Sequence, residues 1–188
     1  MNNADMILTS LDRKLTTRIE LTLYGRAAIF LGFERPPDEY ALSRDIDAVL
    51  WKGQAEMLLE TTNFWEAVNE VNAELTDQEL YISHFFEEDQ VILRPDWRLH
   101  RVKITRRWNH LDLYRLGSLD LLLSKLMRDD PIDLEDALFI YEQGHLGVAA
   151  VIQACQEAKI PNIPEIQEQF ALAARRFFQT INASLPIL

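Results

Sequence analysis

The chain has 188 residues, 48% hydrophobic and 10% aromatic, enough for one compact domain with a sizeable core and a helical extension. A net charge of −11 disfavours indiscriminate nucleic-acid binding and leaves room only for a local basic groove, so no DNA partner is expected. A lone cysteine, Cys155, excludes an internal disulfide, and with no run near the ~18 apolar residues of a membrane span and no basic leader the expectation is a cytoplasmic protein without a membrane partner.

Residues 4–15 read as a helix, with Met6, Ile7, Leu11 and Leu15 on one stripe and Asn3 as cap. Ile19, Leu21 and Leu23 alternate as a half-buried strand. Gly25 then supplies a tight turn into a helix whose free N–H groups suit a phosphate. Gly32 to Glu39 is a loop, and Asp45 opens the next strand. On that strand Asp45 and Asp47 share one face, while Ile46, Ala48 and Leu50 point into the core. Two adjacent carboxylates repel unless a cation lies between them, and Mg²⁺ or Mn²⁺ fits, taking oxygen ligands and keeping waters for a phosphate to replace. A solvated Asp-x-Asp at a strand edge is the plainer reading of the same residues.

Asn63 is placed to cap a helix carrying Phe64, Val68, Val71 and Leu75. Short strands are expected at Val91 to Leu93, Arg98 to Thr105 and Leu111 to Leu116. Between residues 94 and 107, Arg94, Arg98, Arg101, Lys103, Arg106 and Arg107 face one acid, Asp96. This reads either as a positive surface for triphosphate or RNA, or as a solvated face balancing acidic helices. Trp97 and Trp108 flank it, for base stacking or for the core. Helices follow from Ser118 as cap, from Asp130-Pro131 to near Gly144, from Val148 to Ala158 and from Pro164 onward. The fold class is therefore α+β, with a mixed sheet and flanking helices over residues 1–117 and a helical region over 118–188 packed on that core.

Strand, glycine turn, helix, loop and Asp-x-Asp strand together resemble the nucleotidyltransferase superfamily with the polymerase-beta-like palm. The stretch Asp120 to Asp136, with Lys125, Arg128, Asp133 and Asp136, is similar to AbiEii-type nucleotidyltransferases, many of them toxins of toxin–antitoxin pairs. A likeness to small bacterial nucleotidyltransferase-like proteins runs from about residue 20 to 140. It includes Asn63-Phe64-Trp65, Ser83-His84-Phe85 and Arg94-Pro95-Asp96-Trp97.

The resemblance implies that Asp45 and Asp47 hold Mg²⁺ or Mn²⁺ and that Gly25, Arg26 and Ser43, beside Arg44, cradle the phosphates of an NTP. Lys125 would meet phosphate, and Asp133 or Asp136 would be the second acidic element. Arg94, Arg101 and Arg128 would complete a positive surface for substrate. A hydroxyl of RNA or protein would attack the α-phosphorus, and an antitoxin protein would be a partner.

The sequence departs from the family pattern at three points. Arg26 stands where a small residue is usual, the Gly25–Asp45 gap is long, and Leu99 to Ile104 carries no third carboxylate, Asp96 and Asp112 being the nearest. Those departures support a second expectation, a catalytically inactive nucleotidyltransferase fold that binds a nucleotide or a protein. The four histidines have no metal-site spacing, and no nucleophile elbow or P-loop is present.

Overall fold

The computed structural model describes residues 2–106 and 108–183, so Arg107 of the basic stretch lies outside the described residues. The chain mixes helices with one five-stranded sheet. It divides into two compact units, Met1–Glu87 with Val102–Arg115, and Glu88–Arg101 with Leu116–Leu188. Residues 88–101 thus belong with the C-terminal helices.

The first unit contains α1 (Asn3–Lys14), β1 (Ile19–Tyr24), α2 (Gly25–Gly32), β2 (Asp45–Leu50), α3 (Gln54–Thr61), α4 (Phe64–Glu74), β3 (Tyr81–Glu87), β4 (Val102–Lys103) and β5 (Leu111–Arg115). The strands lie in the order β3-β2-β1-β5-β4. β1 runs antiparallel to β2 and parallel to β5, β2 runs parallel to β3, and β4 is antiparallel to β5. β1 sits at the centre, which is why Leu21, Thr22 and Leu23 are all buried instead of alternating.

Helix α1 is capped one residue earlier than the pattern suggests. The Asn2 side chain accepts from the Asp5 N–H, and the α1 stripe buries Ile7, Leu8 and Leu11 against α4. Asn63 stands at the cap position of α4 but makes no capping bond. Its amide bridges the Thr16 N–H and the Lys14 carbonyl, tying α4 to the end of α1. Phe64, Trp65 and Phe85 form an edge-to-face aromatic cluster with centroids 5.0–5.1 Å apart.

The expected strand from Arg98 to Thr105 is not formed as such. Trp97–His100 is a 3-10 turn, and only Val102–Lys103 pairs, with β5. Alternating long basic residues carry little β preference of their own, so pairing with β5 decides the strand's length. Leu93 contributes a single bridge, to Lys159. Helix α3 and strand β3 carry no strong periodic signal in the sequence.

The second unit contains α5 (Ser118–Lys125), α6 (Pro131–Gln143), α7 (Val148–Glu157) and α8 (Pro164–Thr180). Helix α5 packs on α6 and α7, and α6 packs on α8. Gly117, not Ser118, takes the cap position of α5, whereas Asp130 caps α6 by accepting from the Ile132 N–H, with Pro131 first in the helix. Leu121, Leu122 and Leu123 are buried, as are Phe170, Phe177 and Phe178. No described helix is long and apolar enough to cross a membrane.

Candidate active site

Antiparallel register builds the site. Tyr24, the last residue of β1, lies opposite Asp47 of β2. The next residue, Gly25, therefore turns beside the Asp47 carboxylate. Gly25 has φ +73°, and a Cβ there would stand 3.1 Å from Asp47 Oδ2. Glycine answers both demands, a left-handed backbone and a close approach. The N-terminus of α2 at this turn has no side-chain cap. Its partial positive charge faces the acidic strand end, the arrangement that receives phosphate elsewhere.

Asp45 and Asp47 are both half-buried on the same side of β2. Burial, with a smaller contribution from the Asp45 charge, pushes the Asp47 carboxyl above its ordinary range, against hydrogen bonds from Ser83 and His84. Ser43 donates its hydroxyl to Asp45 Oδ1 at 3.0 Å. Ser83 donates to Asp47 Oδ1 at 2.6 Å, and His84 Nδ1 lies 3.4 Å from the same oxygen.

An irregularity in the β2–β3 ladder explains that convergence. Ile46 pairs with Ile82, but Asp47 pairs with His84, so β3 carries one extra residue, Ser83, at this point. A bulge of this kind re-aims side chains, and here both Ser83 and His84 reach Asp47. Sequence reasoning assigned neither a role. Ser83-His84-Phe85 enters the sequence only as part of the family likeness, and no local pattern announces a bulge.

The donor set suits a hard cation. Asp45 and Asp47 offer carboxylate oxygens, and among the described residues none hydrogen-bonds to Oδ2 of either. No cluster of three or more His, Cys, Asp or Glu that could hold a metal occurs among the described residues. The pair could thus supply two ligands, with water and phosphate filling the rest, as Mg²⁺ prefers.

The Arg26 guanidinium stacks 4.6 Å over the ring of Tyr40. Arg44 pairs with Glu79 at the surface. Asp112, on β5, is held by Arg18 at 2.6 Å and Lys103 at 3.2 Å, and Arg18 lowers its carboxyl to about 2. It sits two strands from β2, with β1 between.

The remaining candidates belong to the second unit. Lys125 is buried and pairs with Asp136 at 2.7 Å and Asp133 at 3.1 Å, and Arg128 adds a second contact to Asp133 at 2.7 Å. As the spacing requires, Asp133 and Asp136 share a helix face, and that face meets Lys125 inside the fold. Arg94 is mostly buried against Asp120, at 2.7 Å. Arg101 donates to the Arg98 carbonyl, and Asp96 pairs with His100 at 2.9 Å. Trp97 is core, its indole N–H donating to Glu88. The basic stretch is thus divided between the two units, with Arg94, Lys103 and Arg106 matched by acids. Comparison of the chain with protein-family models, curated proteins and solved structures found no match.

Proposed function

We propose that the protein is a metal-dependent nucleotidyltransferase that moves a nucleoside monophosphate from an NTP to a hydroxyl of RNA or protein. The observation that carries this reading is the contact between the Gly25 turn and Asp47, with Asp45 beside it on the same strand. An uncapped helix start and two carboxylates at one strand end are what a metal-bound triphosphate needs. Mg²⁺ or Mn²⁺ bound there would neutralise charge on the phosphates. The chain's own residues do the rest. Asp45 and Asp47 hold the cation, Ser43 and Ser83 fix the carboxylate orientations, and the α2 N-terminus meets phosphate oxygen. Lys125, already matched by two carboxylates, is assigned to holding the second unit together. A toxin role with an antitoxin partner is the setting that the AbiEii likeness implies.

The test is transfer of label from each α-labelled NTP, with Mg²⁺ or Mn²⁺, beside the Asp45→Asn/Asp47→Asn double variant. Label that appears with wild type and vanishes with the variant supports the reading. A second reading, a nucleotide- or protein-binding module without catalysis, is favoured by one observation. The strand beside Asp47 brings Ser83 and His84 to it, and not a carboxylate. Binding that is indifferent to divalent metal and to Asp47→Asn, without any transfer, would select it.

A further inference from the structure

An open groove of about 530 Å³ runs along β3, between that strand and the end of α4. Its lining includes Asn72, Thr76, Glu79 and Tyr81, and it continues to Ser83 and His84. Those last two residues touch Asp47, so the groove leads to the carboxylate pair. We propose that this groove receives the acceptor, and that the acceptor is a segment of polypeptide presenting a side-chain hydroxyl. The proposal rests on the nucleotidyltransferase reading above.

The described lining contains no Lys or Arg and one carboxylate, Glu79, in a protein of net charge −11. An RNA strand binds by neutralising its phosphates with cationic side chains, and the cation at the edge of this groove, Arg44, is already matched by Glu79. A neutral or basic polypeptide meets no such penalty.

The groove is open along its length and does not enclose a small ligand, whereas small-molecule sites bury most of what they bind. Its lining includes Tyr81, 43% exposed, and the exposed His84 ring, stacked on Phe86 at 5.2 Å. Rigid rings with polar edges are favoured contacts for protein partners.

β3 is a terminal strand, and the Asn72 amide occupies the outward peptide group of Ile82, donating to its carbonyl and accepting from its N–H. That clamp blocks pairing of an added strand at Ile82 and leaves side chains as the binding surface.

In the transfer, the acceptor oxygen forms a bond to the α-phosphorus, the bond from α-phosphorus to the α,β-bridging oxygen breaks, pyrophosphate leaves with that electron pair, and the hydroxyl proton passes to solvent.

The experiment offers total soluble protein and total RNA from a cell lysate as separate acceptor pools, with α-labelled NTP and Mg²⁺ or Mn²⁺. It compares wild type, Tyr81→Ala and Tyr81→Phe, with NTP binding followed by thermal shift. The expected result is protease-sensitive label that falls at least tenfold in Tyr81→Ala, is retained in Tyr81→Phe, and does so with metal-dependent NTP binding unchanged. Ribonuclease-sensitive label overturns the polypeptide acceptor and leaves the transferase reading standing. Protein label undiminished in Tyr81→Ala overturns the groove, and NTP binding with no label in either pool overturns the acceptor inference. Absence of metal-dependent NTP binding removes the reading and the inference together.

Discussion

The Ser83 hydroxyl donates to Asp47 Oδ1 across 2.6 Å, from a residue that β3 carries in excess of its partner strand. One inserted residue thus orients the carboxylate next to the Gly25 turn. The bond leaves Oδ2 directed to the glycine side, where a ligand would approach.

A metal held by this pair should stabilise the fold by linkage. Mg²⁺ or Mn²⁺ with NTP is expected to raise the wild-type Tm and to leave Asp47→Asn unmoved. Without ligand, Asp47→Asn should melt at or above wild type near neutral pH, because it removes a half-buried charge repelled by Asp45. Differential scanning fluorimetry reads both, and a large destabilisation of Asp47→Asn would show instead that the carboxylate supports the fold.

Gly25→Ala places a side chain at φ +73° and a methyl 3.1 Å from Asp47 Oδ2. The backbone cost is about 1–2 kcal/mol, measurable by urea titration. The loss of NTP affinity should exceed that cost, since the methyl enters the space facing the carboxylate. Equal losses in stability and affinity would mean that the glycine serves the turn alone.

Lys125→Met takes the buried Asp136 away from Lys125 and leaves Asp133 paired with Arg128. Breaking a buried pair from one side costs roughly 3–5 kcal/mol. The double variant Lys125→Met/Asp136→Asn should be less destabilised than the sum of its parts, a coupling that a thermodynamic cycle from denaturant unfolding measures. Additive losses would contradict the ion-pair geometry.

Cys155 is buried, and burial pushes its thiol up to about 12. In the native state it should react with thiol reagents at pH 8 only at the rate of unfolding, and at once in denaturant. The unfolded thiol ionises at its ordinary value, so above that pH the unfolded state binds fewer protons than the native one and stability falls with rising pH. Denaturant midpoints measured between pH 8 and pH 10 for wild type and Cys155→Ala should separate, wild type losing more.

Local chemistry made several elements legible. Asp130-Pro131 starts α6 because a capping carboxylate and a fixed φ act over a few residues, whereas at its end Gly144 keeps helical φ and His145 takes the left-handed conformation. The Ile46, Ala48 and Leu50 alternation placed β2 and put Asp45 and Asp47 on one face, since side-chain direction along a strand is a local property. Gly25 was visible as a turn for the same reason.

What only the tertiary structure decided was partnership. The register of β1 against β2 brings Gly25 to Asp47 across more than twenty residues of chain, and the bulge in β3 delivers Ser83 and His84. Neither leaves a periodic trace, because pairing energy lies between strands and not along them. Lys125 looks like a solvated helix lysine until α6 presents two carboxylates to it, and Arg94 looks like surface until Asp120 encloses it. A charge in sequence fixes no partner, and the interior position of these cations follows from the acids that folding places around them.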